Sequence, residues 1–379
     1  MMNLIKKTIK MIGITIGGLI VVILLVGTLF LNLSPQFGDS PTDKQKRRFS
    51  ETGRYKNGKF HMSAPVSSSE DTWGTIKKFF QPNPKGKPSK LIVPEKIDSL
   101  EIINHNAGIT KLTWFGHSTF LLQLDGKNIL IDPMLGDYAS PLPLSAAKRF
   151  TTELPILTEK LPFIDAVIYS HDHYDHLDYE SVKKIKDKVG KFYVPLGLGS
   201  HLVSWEVESE KIEELDWWDT IYFDHIKLVC TPAVHFSGRG LFDRGSTLWC
   251  SWVILGEKER IFFSGDSGYG PHFKEIGEKY GPFDLSLMEC GQYNEDWRYI
   301  HMFPEETAQA AEDVKSELLI PIHWGSFKLA HHHWTDPIER VAKKASELNV
   351  SLATPKIGEP IILGKEDYPR KEWWLDYVN

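Results

Sequence analysis

The stretch HDHYDHLD at 171–178 crowds three histidines and three acids into eight positions, directly after the apolar run PFIDAVIYS at 162–170. A run of that length and composition reads as a buried strand, and a loop at the carboxyl end of such a strand is where α/β-type sheets place ligand sites. Side chains two apart on an extended stretch point the same way, so His171 and His173 can close on one ion. Asp175 and His176 turn into the following helix and face a second point a few ångströms away. Imidazole mixed with carboxylate suits zinc or another borderline divalent ion better than calcium or magnesium. Three later strand-like runs repeat the arrangement: TPAVH ends at His235, FFSGD at Asp266 and LLIPIH at His323. A single histidine after a strand is usually structural. Three such ends plus the cluster are not explained that way.

The rest of the 379 residues sets the frame. Met11 to Leu31 carries no charge and matches the roughly 20 apolar residues that a membrane-crossing helix needs. It is longer than a signal-peptide core and TLFLNLSPQ lacks an A-x-A-like cleavage site, so residues 1–32 are expected to be an uncleaved anchor. Lys6, Lys7 and Lys10 would hold the N-terminus in the cytoplasm and make the remainder extracytoplasmic, against the opposing pull of Lys44, Lys46, Arg47 and Arg48. Gly13 and Gly17 form a G-x-x-x-G pair that could join two anchors into a homodimer.

Residues 33–107 are expected to be a linker and extension. The Pro-, Ser- and Lys-rich part up to residue 70 should pack little. An amphipathic pattern at Trp73, Ile76, Phe79 and Phe80 then reads as a helix that covers the domain or lies on the lipid surface. Residues 108–379 are expected to form the domain that carries the ligand-type residues. ITKLTWFG, TFLLQLDG and KNILIDP make an antiparallel meander, with Asp125-Gly126 as a hairpin turn. After FIDAVIYS, a helix starts at an Asp178 cap and stops at Gly190. IKLVCTP, LWCSWVILG, RIFFSG and DLSLMEC are strands, PEETAQAAEDVKSE is a helix and LLIPIH is a last strand. Hairpins followed by alternating strand and helix predict an α+β layered sandwich. A net charge of −6 and the lack of a basic stripe speak against nucleic acid as a partner. Cys230, Cys250 and Cys290 suit buried apolar positions rather than a disulfide framework.

HDHYDH resembles the H-x-H-x-D-H signature of the metallo-β-lactamase superfamily, and the order cluster, distant His, Asp, final His is similar to its ligand set. The similarity covers roughly residues 108–365. WFGHST at 114–119, IDP at 131–133, TPAVHFSGR at 231–239, FSGDSGYG at 263–270, HMFPEE at 301–306 and IHWGSF at 322–327 look most like the branch of N-acyl-phosphatidylethanolamine-hydrolysing phospholipases D.

The resemblance implies an αββα sandwich of two mixed β-sheets covered by helices. It implies two divalent ions, zinc foremost: one held by His171, His173 and His235, a second by Asp175, His176 and His323, with Asp266 between them. Asp266 stands where many β-lactam hydrolases of the superfamily have cysteine, so β-lactams are not the expected substrate. The implied chemistry is attack of a metal-bridging hydroxide on the phosphorus of an N-acylated phospholipid, with Asp175, Asp266 and His301 on the catalytic side. The implied products are an N-acylethanolamine and phosphatidic acid. A lactone, thioester or soluble phosphodiester would suit the same ligand set, and a non-catalytic membrane-tethered scaffold is the reading from another class.

Several residues carry weaker expectations. Asp172 is expected to face outward behind the ligands, and His117 to support them. The His331-His332-His333 run is not expected to hold a metal. The tryptophans are read as packing, with Trp73, Trp217, Trp218, Trp373 and Trp374 as the ones that could instead meet a lipid interface.

Overall fold

The computed structural model describes residues 2–62, 83–144, 147–365 and 367–378. The helix expected around Trp73–Phe80 falls outside them.

The chain opens with helix α1, Met2–Leu33, whose span Ile5–Leu33 is long and apolar enough to cross a membrane. Ile9, Leu19 and Leu24 along it are all exposed, and among the described residues it is Phe30, near its end, that packs against the rest of the chain, edge-on with Phe37. Helix α2, Asp43–Ser50, follows behind a capping box of Thr42 and Gln45, and leads into the short hairpin β1, Tyr55–Lys56, and β2, Lys59–Phe60. The expectation that this stretch packs little does not hold. Phe49, Tyr55 and Phe60 are buried against Leu196, Ala233, Leu248 and Trp249, and Arg54 forms a forked pair with Asp216. Three aromatic residues in twelve positions bury enough surface to outweigh the polar composition around them.

Two mixed sheets follow. The first contains β3 (Lys111–Gly116), β4 (Thr119–Leu124), β5 (Lys127–Ile131), β6 (Ile164–Ile168), β7 (Val189–Pro195), β8 (Ile212–Leu215) and, at its other edge, β15 (Pro360–Ile362). The second contains β9 (Thr220–Phe223), β10 (Ile226–Thr231), β11 (Ser251–Leu255), β12 (Arg260–Phe263), β13 (Leu285–Glu289) and β14 (Leu319–Ile322). Each sheet runs antiparallel in its hairpin half and parallel in its crossover half. Alternation along β4 divides the core: Phe120, Leu122 and Leu124 join the cluster between the sheets, while Leu121 joins the cluster on the opposite face. Both faces are covered, which is why these strands read as unbroken apolar runs.

On the first sheet lie α3 (Ser99–Ile103), α4 (Tyr179–Ile185) and α5 (Gly199–Ser204); beside the second lie α6 (His272–Tyr280), α7 (Pro304–Asp313) and α8 (Asp336–Leu348). This is the expected αββα sandwich. Asp178 caps α4 as expected, accepting from the Ser181 amide at 2.9 Å. Gly190 does not end that helix. It lies inside β7, where a side chain would meet the Asp165 carbonyl oxygen at 2.8 Å, so its small size serves strand packing. Trp373 and Trp374 are 1% exposed within the main core, which removes them from any lipid interface, and Trp217 and Trp218 are half-buried against it.

Candidate metal centre

Six strands deliver the site, all from their carboxyl ends: β5 gives Asp132, β6 the loop from His171, β10 His235, β12 Asp266, β13 Glu289 and β14 His323. Within each sheet these strands run in one direction, β10 agreeing with β12 through the antiparallel β11 between them, so their ends meet at one edge of the sandwich. The loop carrying Asp266 comes close only because Gly265 has φ +56 and no side chain; a Cβ there would stand 2.7 Å from Cβ of Ser170. His117, Asp132 and His323 also have positive φ, at 55°, 39° and 66°. Strained backbone at three positions around one side-chain cluster is characteristic of a site whose geometry the surrounding packing enforces.

The residues singled out from the sequence converge. Nδ1 of His173 lies 2.9 Å from Nε2 of His171 and 3.1 Å from Nε2 of His235. Nε2 of His323 lies 3.0 Å from Asp175 and 3.1 Å from Asp266. Asp266 stands between the two groups, its Oδ2 3.9 Å from His171, 3.8 Å from His235 and 3.1 Å from His323. His117, expected only as support, is drawn in as well, with Nε2 2.8 Å from Asp175. His301 lies at the rim, its Nδ1 hydrogen-bonded to Glu289 and 4.0 Å from Asp266.

Electrostatics bind the cluster together. Burial alone would raise the Asp266 carboxyl, yet His176 and His323 hold it well below the usual carboxylate range, and Asp175 is likewise held down, with His176 and His117 overcoming its burial. Among the histidines, burial lowers His171 and His235 well below the ordinary imidazole value. Burial also opposes protonation of His323, but the Asp266 and Asp175 carboxylates push it up to about 10.

Bound divalent metal fits this constellation. His171, His173, His235 and Asp266 offer ligand atoms within 4.8 Å of one another, as do His117, Asp175, His176 and His323. Nε2 of His176 and Oδ1 of Asp266 are 3.2 Å apart and buried, yet neither has a hydrogen-bond partner. Two such atoms aimed at one point without bonding leave a place for a cation. The outer nitrogens are already committed: His171 Nδ1 to Ser170 Oγ at 3.0 Å, His176 Nδ1 to Asp132 at 2.6 Å and His235 Nδ1 to the Ile300 carbonyl at 2.9 Å. These bonds fix which nitrogen faces inward.

Asp132 and Glu289 were missed as site residues, although both end strand-like runs, KNILIDP and DLSLMEC, as the recognised ligands do. Asp172 does not face outward. It is fully buried, accepting from Gly238 N at 2.7 Å and Thr247 Oγ1 at 2.8 Å and pairing with His201. Among the described residues the 331–333 histidines join no metal-type cluster; His332 stacks on Tyr293 and accepts from the Gln292 amide.

The family model of the beta-lactamase superfamily domain matches residues 127–324. The chain belongs to that superfamily. It is 43% identical over 277 residues to an uncharacterised protein of Mycobacterium tuberculosis, covering 72% of this chain and 74% of the relative. It is 37% identical over 264 residues to N-acyl-phosphatidylethanolamine-hydrolyzing phospholipase D 1 of Caenorhabditis elegans, covering 65% and 74%. A metallo hydrolase from Ignicoccus hospitalis shares the fold, with a TM-score of 0.52, 22% identity, and coverage of 68% of this chain and all of that one. The superfamily member described here is a metal-dependent hydrolase, with an N-terminal apolar helix that is a candidate membrane anchor.

Proposed function

We propose that this protein is a membrane-anchored phosphodiesterase of phospholipase D type, cleaving N-acyl-phosphatidylethanolamine to an N-acylethanolamine and phosphatidic acid. The observation that carries the reading is Asp266, buried between two sets of inward-facing ligands. One ion would be held by His171, His173 and His235, and a second by Asp175, His176 and His323, with Asp266 shared. Such a pair, zinc foremost, supplies Lewis acidity toward phosphoryl oxygens and an activated water at neutral pH.

The chain's own residues supply the rest. With Nδ1 engaged by Glu289, His301 keeps Nε2 for the substrate, where it can hold a phosphoryl oxygen or hand a proton to the departing ethanolamine oxygen. A bilayer-resident substrate agrees with the position of α1: Phe30 near its end stacks edge-on with Phe37, and Phe37 with Tyr174 of the HDHYDH loop. Leu241 and Phe242, six and seven residues after His235, are 70% and 90% exposed on the loop that also carries Arg239. The C. elegans relative's name supports the choice of lipid.

The test is release of phosphatidic acid from N-acyl-phosphatidylethanolamine by the purified chain, beside its Asp266→Asn variant and a soluble aryl phosphodiester. Lipid cleavage that needs metal and is lost in the variant supports the reading. Turnover of the soluble ester with the lipid left intact keeps the hydrolase and removes the proposed substrate.

A further inference from the structure

Behind the metal cluster, on the side away from the ligand atoms, lies the stretch of chain that emerges from α1. Arg239, 4% exposed, is the joint. Its Nε and Nη2 donate to the Gln36 carbonyl at 2.8 and 2.7 Å, and its Nη1 donates to the carbonyls of Asp172 and Leu177 at 2.5 and 2.7 Å. One guanidinium therefore ties residue 36 to both ends of the loop that contains His173, Asp175 and His176. Its plane also lies over the Tyr174 ring, 4.2 Å from the centroid, and Phe37 meets the same ring edge-on.

Two further links run in parallel. Trp205 donates from Nε1 to the Pro35 carbonyl at 2.6 Å. The Asp39 amide donates to Nδ1 of His201 at 3.2 Å, and the other ring nitrogen of His201 pairs with Asp172, between ligands His171 and His173. Gly38 makes this approach feasible: φ is +66, and a Cβ would fall 2.1 Å from Nδ1 of His201.

We infer that residues 35–39 are a brace for the metal-binding loop, so that retention of the ions depends on the segment adjoining the membrane anchor. This rests on the two-ion reading above. A buried guanidinium must keep its donors satisfied. If the Gln36 carbonyl moves away, Arg239 has two N–H groups to place elsewhere, and any shift it makes is transmitted through the Asp172 and Leu177 carbonyls. Residues 35–39 touch no ligand atom, so they act by positioning.

The test uses the full chain in detergent, loaded with zinc, and follows zinc transfer to a chromogenic chelator together with zinc content per chain. Gly38→Val wedges a branched side chain against His201 and is expected to speed zinc loss at least about 10-fold, the lower end for outer hydrogen-bond partners of metal ligands. Trp205→Phe removes the bond to the Pro35 carbonyl and keeps an aromatic ring, though a smaller one, beside His201 and Arg239; an increase of a few-fold is expected, with the helical circular dichroism unchanged. Should Gly38→Val fail to fold, Trp205→Phe decides. Wild-type loss rates in the folded variants overturn the brace alone. A wild-type chain that takes up no zinc or other divalent ion overturns the two-ion reading, and the brace with it.

Discussion

Asp132 accepts a hydrogen bond from Nδ1 of His176 at 2.6 Å, with both side chains fully buried. The carboxylate is itself held by the Ser170 amide at 2.7 Å and the Ser170 hydroxyl at 2.5 Å. It fixes the ring so that Nε2 faces Asp266, and its charge makes that nitrogen a better donor to a cation. Asp132→Asn keeps the shape and removes the charge. Metal retention in chelator competition is expected to weaken about 10- to 100-fold with the fold intact. Unchanged retention would show that Asp132 serves only the packing of the β5 end.

Glu289 and His301 form a second such pair at the rim. Burial pushes the Glu289 carboxyl up, His301 opposes that, and the Ser267 amide also donates to it at 2.5 Å. With His301 as the proton source for the leaving oxygen, Glu289→Gln weakens the hold on the protonated ring. The loss should depend on the leaving group: a drop in kcat of about 100-fold for an alkyl phosphodiester, within the usual range for acid–base assistance, and little change for an aryl phosphodiester. Equal losses on both substrates would assign the pair a structural role.

The segment following α1 offers a stability test. Phe49 is fully buried, 5.5 Å from the Tyr55 ring and 5.3 Å from the Phe60 ring between centroids. Phe49→Ala should cost about 3–5 kcal/mol if these residues belong to the cooperative core. The urea midpoint of the enzymatic part reads this directly, and a midpoint unmoved by the substitution would return the stretch to the status of a loose tether.

Much of this architecture was readable from spacing. The meander and the strand ends at His235, Asp266 and His323 follow from apolar runs closing on turn or ligand-type residues, and the helix after HDHYDHLD from its Asp178 cap. What escaped has a physical cause. β8, IEEL, has two acids at its centre, and β9, TIYF, is four residues long with every position half-buried or exposed, so neither reads as a buried strand. Phe49, Tyr55 and Phe60 lie in polar surroundings and become core only through Leu196, Leu248 and Trp249, far away in sequence. Asp172 looks like one more loop acid until His201, from one helix, and Gly238 and Thr247, from the β10–β11 connection, turn it inward.

His272 provides a pH signature away from the ligands. It opens α6 and is 7% exposed; burial lowers its imidazole to about 3. Nε2 meets Ser267 Oγ at 3.1 Å, while Nδ1 is buried with no hydrogen-bond partner, so a second proton would have no acceptor. An unfolded histidine takes its proton near pH 6.5. Between about 3 and 6.5 the unfolded chain therefore holds a proton that the folded chain lacks. The contribution of His272 to stability is complete above 6.5 and falls as the pH drops, at up to about 1.4 kcal/mol per pH unit. Other groups titrate in the same range, so the informative quantity is a difference. Unfolding free energies from urea titrations between pH 6.5 and 5 should decline less steeply in His272→Gln than in the wild type, by up to that one-proton slope. Parallel curves would mean that His272 gains its proton without unfolding, through local opening at the start of α6.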